Sequence, residues 1–166
     1  MREPGRRSAP PATATPAARL AALGLALPPP PPPIADFLPA VASGPWLFLS
    51  GQGPRDGAGR LHTGKVGRDL DAATAAGHAR LVGLNLLAVM QQVLGDLSRV
   101  RRAVKLLGMV NAVEDFAEHP AVIDGCSGLF VEVFGEAGRH ARSAIGVASL
   151  PRNITVEIEA IVEIEP

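Results

Sequence analysis

Residues 140–165 read HARSAIGVASLPRNITVEIEAIVEIE, and this stretch decides the fold. Leu150-Pro151 divides it into an apolar run that begins at Arg142 and a second run with a carboxylate at nearly every other position. Side chains alternate across a strand with period two. Val156, Ile158, Ala160, Val162 and Ile164 therefore share one face, and Glu157, Glu159, Ile161, Glu163 and Glu165 share the other. The first face is expected to be dry and the second wet in a lone chain. Two strands joined by a tight turn predict a closing hairpin. Arg142 and Glu157 on neighbouring strands could hold a small anion and move a proton, because an arginine fork grips carboxylates and a partly desolvated carboxylate relays protons.

Upstream of this stretch the pattern predicts β-β-α-β-α-β-β. Short strands are expected over residues 38–42 and 46–50, separated by Ser43-Gly44-Pro45. Asp71 is placed to cap a helix running to Leu94, with Leu81, Leu84, Leu87, Ala88 and Met90 as its apolar stripe. A strand over 100–110 and a helix over 115–134 follow, the latter offering Phe116, Val122, Leu129, Phe130 and Val133 to the core. Pro120 belongs in the first turn of that helix or splits it. This order implies an α+β layer: a single mixed sheet with two helices packed on one face.

The first part of the chain reads differently. Residues 1–17, rich in Pro, Ala and Arg, are expected to form a disordered tail. Residues 18–33 hold a short helix over 19–25, closed by Gly24, and a six-proline run that spaces it from the folded domain at 34–166.

Composition narrows the function classes. The chain has 166 residues, 47% hydrophobic and 19% charged, which suits one globular domain. Sixteen cationic and sixteen acidic residues leave no net charge, and tyrosine is absent. A nucleic-acid partner is disfavoured, because such binding needs a basic groove with aromatic platforms. The single Cys126 cannot form an internal disulfide. No uninterrupted apolar run reaches membrane-span length and no apolar signal core precedes the domain, so a cytoplasmic protein without a membrane partner is expected. His62, His78, His119 and His140 lack metal-ligand spacing, so no metal is expected. The glycines of GQGPRDGAG miss the spacing of a phosphate loop.

ARSAIGVASLP followed by VEIEAIVE resembles the C-terminal signature of the YjgF/Rid (reactive intermediate deaminase) family, also called endoribonuclease L-PSP. LFLSGQGP at 47–54, GKVGRDL at 64–70 and LNLLAVMQQVLGDLSRVRRAVKLLGMV are similar to its strand, turn and helix-turn-strand. FVEVFGEAGRHARSAIGVASLP resembles a less studied branch. The resemblance implies a chorismate mutase-like fold, a homotrimer with a barrel-like centre and clefts between subunits.

It also implies roles. Arg142 would anchor a substrate carboxylate, Glu157 would position or activate water, and the Gly51 backbone would approach the ligand. Asp124 stands near a family asparagine. Phe37 stands where a tyrosine is common and Ala144 where a cysteine is common, so a hydroxyl and a thiol are lost. Hydrolysis of small enamine or imine carboxylates to ammonia and a 2-keto acid, with no cofactor, is the leading expectation. A non-catalytic carboxylate-binding trimer is the second and a ribonuclease the third. From the residues alone, Arg142 could equally bridge to Glu157 or Glu159.

Overall fold

A computed structural model describes residues 14–30, 32 and 36–165. The expected tail at 1–17 lies outside these residues up to Thr13. Its last residues instead begin a helix, α1 (Pro16–Leu23), which Thr15 caps through its side chain and Gly24 closes in a left-handed conformation at φ 68°.

The body follows the expected order: β1 (Ala40–Ser43), β2 (Trp46–Gln52), α2 (Ala72–Leu94), β3 (Val100–Asn111), α3 (His119–Phe134), β4 (Ala141–Val147) and β5 (Val156–Ile164). Asp71 Oδ1 accepts from the Thr74 amide at 2.8 Å, so the capping inference for α2 holds. Helix α3 starts four residues later than expected, with Pro120 in its first turn, where a missing amide hydrogen costs nothing.

The five strands form one mixed sheet in the order β1-β2-β5-β3-β4. This corrects the expected closing hairpin. β4 and β5 do not pair; β3 lies between them, antiparallel to β5 and parallel to β4. The turn after β4 is instead a one-turn 3-10 helix (Pro151–Asn153) that carries the chain across β3.

Alternation in β5 is as read: Val156, Ile158, Ala160, Val162 and Ile164 are buried. They join one hydrophobic cluster with Leu47 and Leu49 of β2, Val82 and Leu86 of α2, and Ile123 and Phe130 of α3. Of the expected α2 stripe, Leu87, Ala88 and Met90 are buried, and the buried face is wider than expected. Ala75, Ala79, Val82, Leu86 and Val89 are buried, whereas Leu81 and Leu84 are half-exposed. Gly83 lies against Leu129 and Cys126 of α3, so the two helices approach closely there. This helix is long and apolar enough by composition to cross a membrane, but 56% of the relevant window is buried inside the protein, as for a core helix.

Leu20 of α1 is 7% exposed and belongs to the same cluster, with Leu25 and Leu27 packed against it. The proline run therefore does not hold α1 away from the body.

Candidate functional site

Two separate groups of side chains emerge, with Glu157 on the outward face of the sheet and Arg142 on its helix-packed face. The first surrounds a cavity of about 380 Å³ lined by Phe37, Gly51, Asn85, Ile154 and Glu157, with Arg55 and Arg152 also on its wall. Gly51 sits in a bulge. Leu49 pairs with Ala160 and Gln52 with Ile158, so Ser50 and Gly51 together face the single residue Glu159. The extra residue bends the strand, and Gly51 lets the Glu157 side chain lie directly against the backbone. Glu157 is half-buried. Burial, and to a lesser degree the neighbouring Glu159 charge, raises its pKa above the ordinary carboxylate range. A carboxyl group so tuned can exchange a proton nearer neutral pH.

Asn85 forms the inner wall and is 1% exposed. Its Nδ2 donates to the carbonyls of Gly53, Arg55 and Leu81 at 3.0–3.3 Å. Three acceptors fix which end of the amide is nitrogen. Oδ1 is then a buried acceptor without a partner. Phe37 is 49% exposed at the rim, and its ring has no hydroxyl to offer.

The second group lies on the opposite side. Arg142 registers with Leu106 of β3 and so points towards the helices, whereas Glu157 registers with the outward Met109. Arg142 Nη1 donates to Asp124 Oδ1 at 2.7 Å and to Ser127 Oγ at 3.1 Å, both on α3. The expected alternative partners, Glu157 and Glu159, are thus excluded by topology. His140 Nδ1 meets the Gly138 carbonyl at 2.6 Å and so must donate; its Nε2 then accepts from the Ser127 hydroxyl at 3.0 Å. Burial holds the His140 pKa below its ordinary value, in keeping with a neutral ring. The chain Arg142–Ser127–His140–Gly138 fixes the guanidinium. Ala144, two residues along β4, shares the Arg142 side and packs on the core.

Within one chain Gly51, Glu157 and Phe37 thus lie in one group and Arg142, Asp124 and Ala144 in the other, although Arg142 and Glu157 were expected on neighbouring strands. Ser127, Asn85, Arg55 and Arg152 were missed. The only signal for Ser127 was its spacing of three from Asp124 on a helix. Cys126 is fully buried, and burial pushes its thiol up to about 12, so it is a packing residue. Among the described residues no cluster of His, Cys, Asp and Glu could hold a metal ion.

A family model described as "YjgF/chorismate mutase-like, putative endoribonuclease" matches residues 17–164. Protein TCP17 of Trypanosoma cruzi is 43% identical over 149 residues, covering 89% of this chain and 93% of that protein. A 2-iminobutanoate/2-iminopropanoate deaminase of Dermatophagoides farinae is 34% identical over 134 residues, covering 80% and 89%. The crystal structure of Atu1372 from Agrobacterium tumefaciens, a protein with unknown function, superposes with a TM-score of 0.82 at 48% identity, covering 89% of this chain and 92% of that chain.

Proposed function

This chain belongs to the YjgF/chorismate mutase-like family, and from that premise we propose that it is a Rid-type hydrolase working as a homotrimer. Small enamine or imine carboxylates bind between two copies. One copy supplies the Glu157 cavity and the other supplies Arg142. The observation that carries this reading is the placement of Arg142 and Glu157 on opposite sides of one sheet, with β3 between their strands. No single chain can bring the two to one small ligand.

Two further features support it. Val41 and Phe48 form a registered pair exposed on the outward face, where Ile145 is also exposed. Covering such apolar area is what a subunit interface does. A deaminase relative covers most of the chain.

In the proposed reaction Arg142 grips the substrate carboxylate by its free guanidinium edge. The Asn85 carbonyl oxygen accepts from the imine or enamine N–H. Glu157 takes a proton from water as the oxygen attacks the imine carbon and passes it to nitrogen. It then moves the remaining hydroxyl proton to nitrogen as the C–N bond breaks, the carbonyl forms and ammonia leaves. The products are ammonia and a 2-keto acid. Water and the already electrophilic imine balance the step. The cytoplasm is the proposed compartment.

Mixing variants tests this directly. Arg142→Ala and Glu157→Gln should each release ammonia from freshly generated 2-aminoacrylate poorly. Trimers assembled from both should regain activity at about a quarter of their clefts, because random assembly leaves that share with both groups intact. Activity no higher in the mixture than in either variant would sink the shared cleft.

A second reading, a non-catalytic carboxylate-binding trimer, is favoured by Phe37 and Ala144. Neither side chain can donate a proton, so binding without turnover would leave the same geometry in use.

A further inference from the structure

The Glu157 cavity contains two cations that a monocarboxylate does not require. Arg55 and Arg152 line it alongside Glu157. Arg60, Arg68, Arg80, Arg101, Arg139 and Arg142 each have a carboxylate partner within 4.0 Å. No ion pair satisfies Arg55 or Arg152 among the described residues; one arm of Arg55 rests on the Gly59 carbonyl at 2.7 Å.

Arg152 is also held where it is at a cost. Its φ is +54° and that of Asn153 is +56°, two successive left-handed residues without a glycine. Such a pair persists only where surrounding contacts over-determine it. Here they do. Asn153 Oδ1 accepts from buried Asn111 Nδ2 at 3.0 Å, the Asn153 carbonyl accepts from the Gly64 amide at 2.8 Å, and the Asn153 amide donates back to Leu150. Asn111 is 1% exposed, so the turn is anchored from the core. The anchored turn brings Pro151 and Arg152 to the cavity wall.

We propose that Arg152, with Arg55, is a second anion-recognition element, and that the substrate class is imino acids carrying a second carboxylate on the side chain. This rests on the hydrolase reading above. Arg142 from the neighbouring copy takes the carboxylate beside the imine. The apolar wall formed by Leu61, Ile154 and the Phe37 ring accommodates the intervening methylenes. The distal carboxylate ends between the two guanidinium groups, whose planar forks suit it. A single glutamate, its pKa already raised, does not neutralise both cations.

Calorimetry on the full-length chain with stable 2-oxo acid probes tests the assignment. 2-Oxoglutarate should bind the parent about tenfold or more tightly than 2-oxobutanoate, since charge-assisted bonds are the strong ones. Arg152→Ala should lose about tenfold more affinity for 2-oxoglutarate than for 2-oxobutanoate, and Arg152→Lys should recover part of that difference. Equal binding of the two acids by the parent, or an equal loss of both in Arg152→Ala, would overturn the second element and leave the hydrolase intact. Failure of both acids to bind would overturn both.

Discussion

Gly51 and Glu157 occupy each other's space. A Cβ on Gly51 would overlap the Glu157 Oε1 atom and come within 3.0 Å of its Cγ and Cδ. The bulge at Ser50-Gly51 and the missing side chain thus form a seat for one carboxylate. Gly51→Ala should push that carboxylate out of the cavity. The atoms in the way belong to the end of a flexible side chain, so the fold should survive at a cost of about 1–3 kcal/mol. Ammonia release should fall about tenfold or more, a barrier change of roughly 1.4 kcal/mol. Thermal melting and the ammonia assay read the two effects separately, and an unchanged rate would remove the seat from the mechanism.

Asp124 holds the guanidinium that the proposed substrate would need. The Arg142 side chain is 22% exposed and Asp124 68%, so the ion pair is solvated and worth about 1 kcal/mol or less. Asp124→Asn should weaken this hold and tighten 2-oxobutanoate binding a few-fold, by roughly 0.5–1 kcal/mol. Arg142→Lys should act oppositely, losing about 2–4 kcal/mol of binding, because a point charge cannot replace a two-pronged fork. Weaker binding in Asp124→Asn would mean that Asp124 aligns Arg142 and does not compete with it.

What the sequence disclosed was whatever depended on local pattern. The capped helix after Asp71, both faces of β5 and the closing of α1 at Gly24 are each set by a few adjacent residues. The insertion of β3 between β4 and β5 was hidden, because strand order is a long-range choice. A short turn at Leu150-Pro151 looks the same in a hairpin and in a crossover. That one error merged two groups of side chains. It placed Arg142 beside Glu157 when the register turns Arg142 to α3 and Glu157 away from it. Asn85 was invisible for a different reason: a polar residue inside an apolar helix acquires meaning only when three loop carbonyls are found around its amide.

The two long helices touch through a glycine. A Cβ on Gly125 of α3 would overlap the Ala76 carbonyl of α2 and come within 3.2 Å of the Arg80 amide nitrogen. Here the obstacle is backbone, which cannot rotate aside as the Glu157 side chain can. Gly125→Ala should therefore destabilise the fold by about 3 kcal/mol, at the upper end of overpacking costs. Gly128, one turn further on, meets nothing within 4 Å, so Gly128→Ala should be neutral or mildly stabilising through helix propensity. Denaturant titration of the pair checks this, and equal effects would refute the close helix contact.

Glu157 links the chemistry to stability. Its pKa in the folded chain lies above the ordinary 4.5, mainly through burial. A group with a raised folded pKa contributes stability that is present in full below the unfolded pKa and is lost as pH rises through the folded value. At neutral pH the ionised carboxylate is therefore a liability that glutamine lacks. Glu157→Gln should melt above the parent at about pH 7, and the difference should shrink towards zero by about pH 4. The same variant should bind 2-oxobutanoate about as well as the parent yet release ammonia at least about tenfold more slowly, since it cannot accept a proton. A stabilised but inactive variant would show one group held at a cost to the fold for the sake of turnover. If Glu157→Gln melted lower at every pH, the carboxylate would be a structural anchor, and the base would have to be sought elsewhere in the cavity.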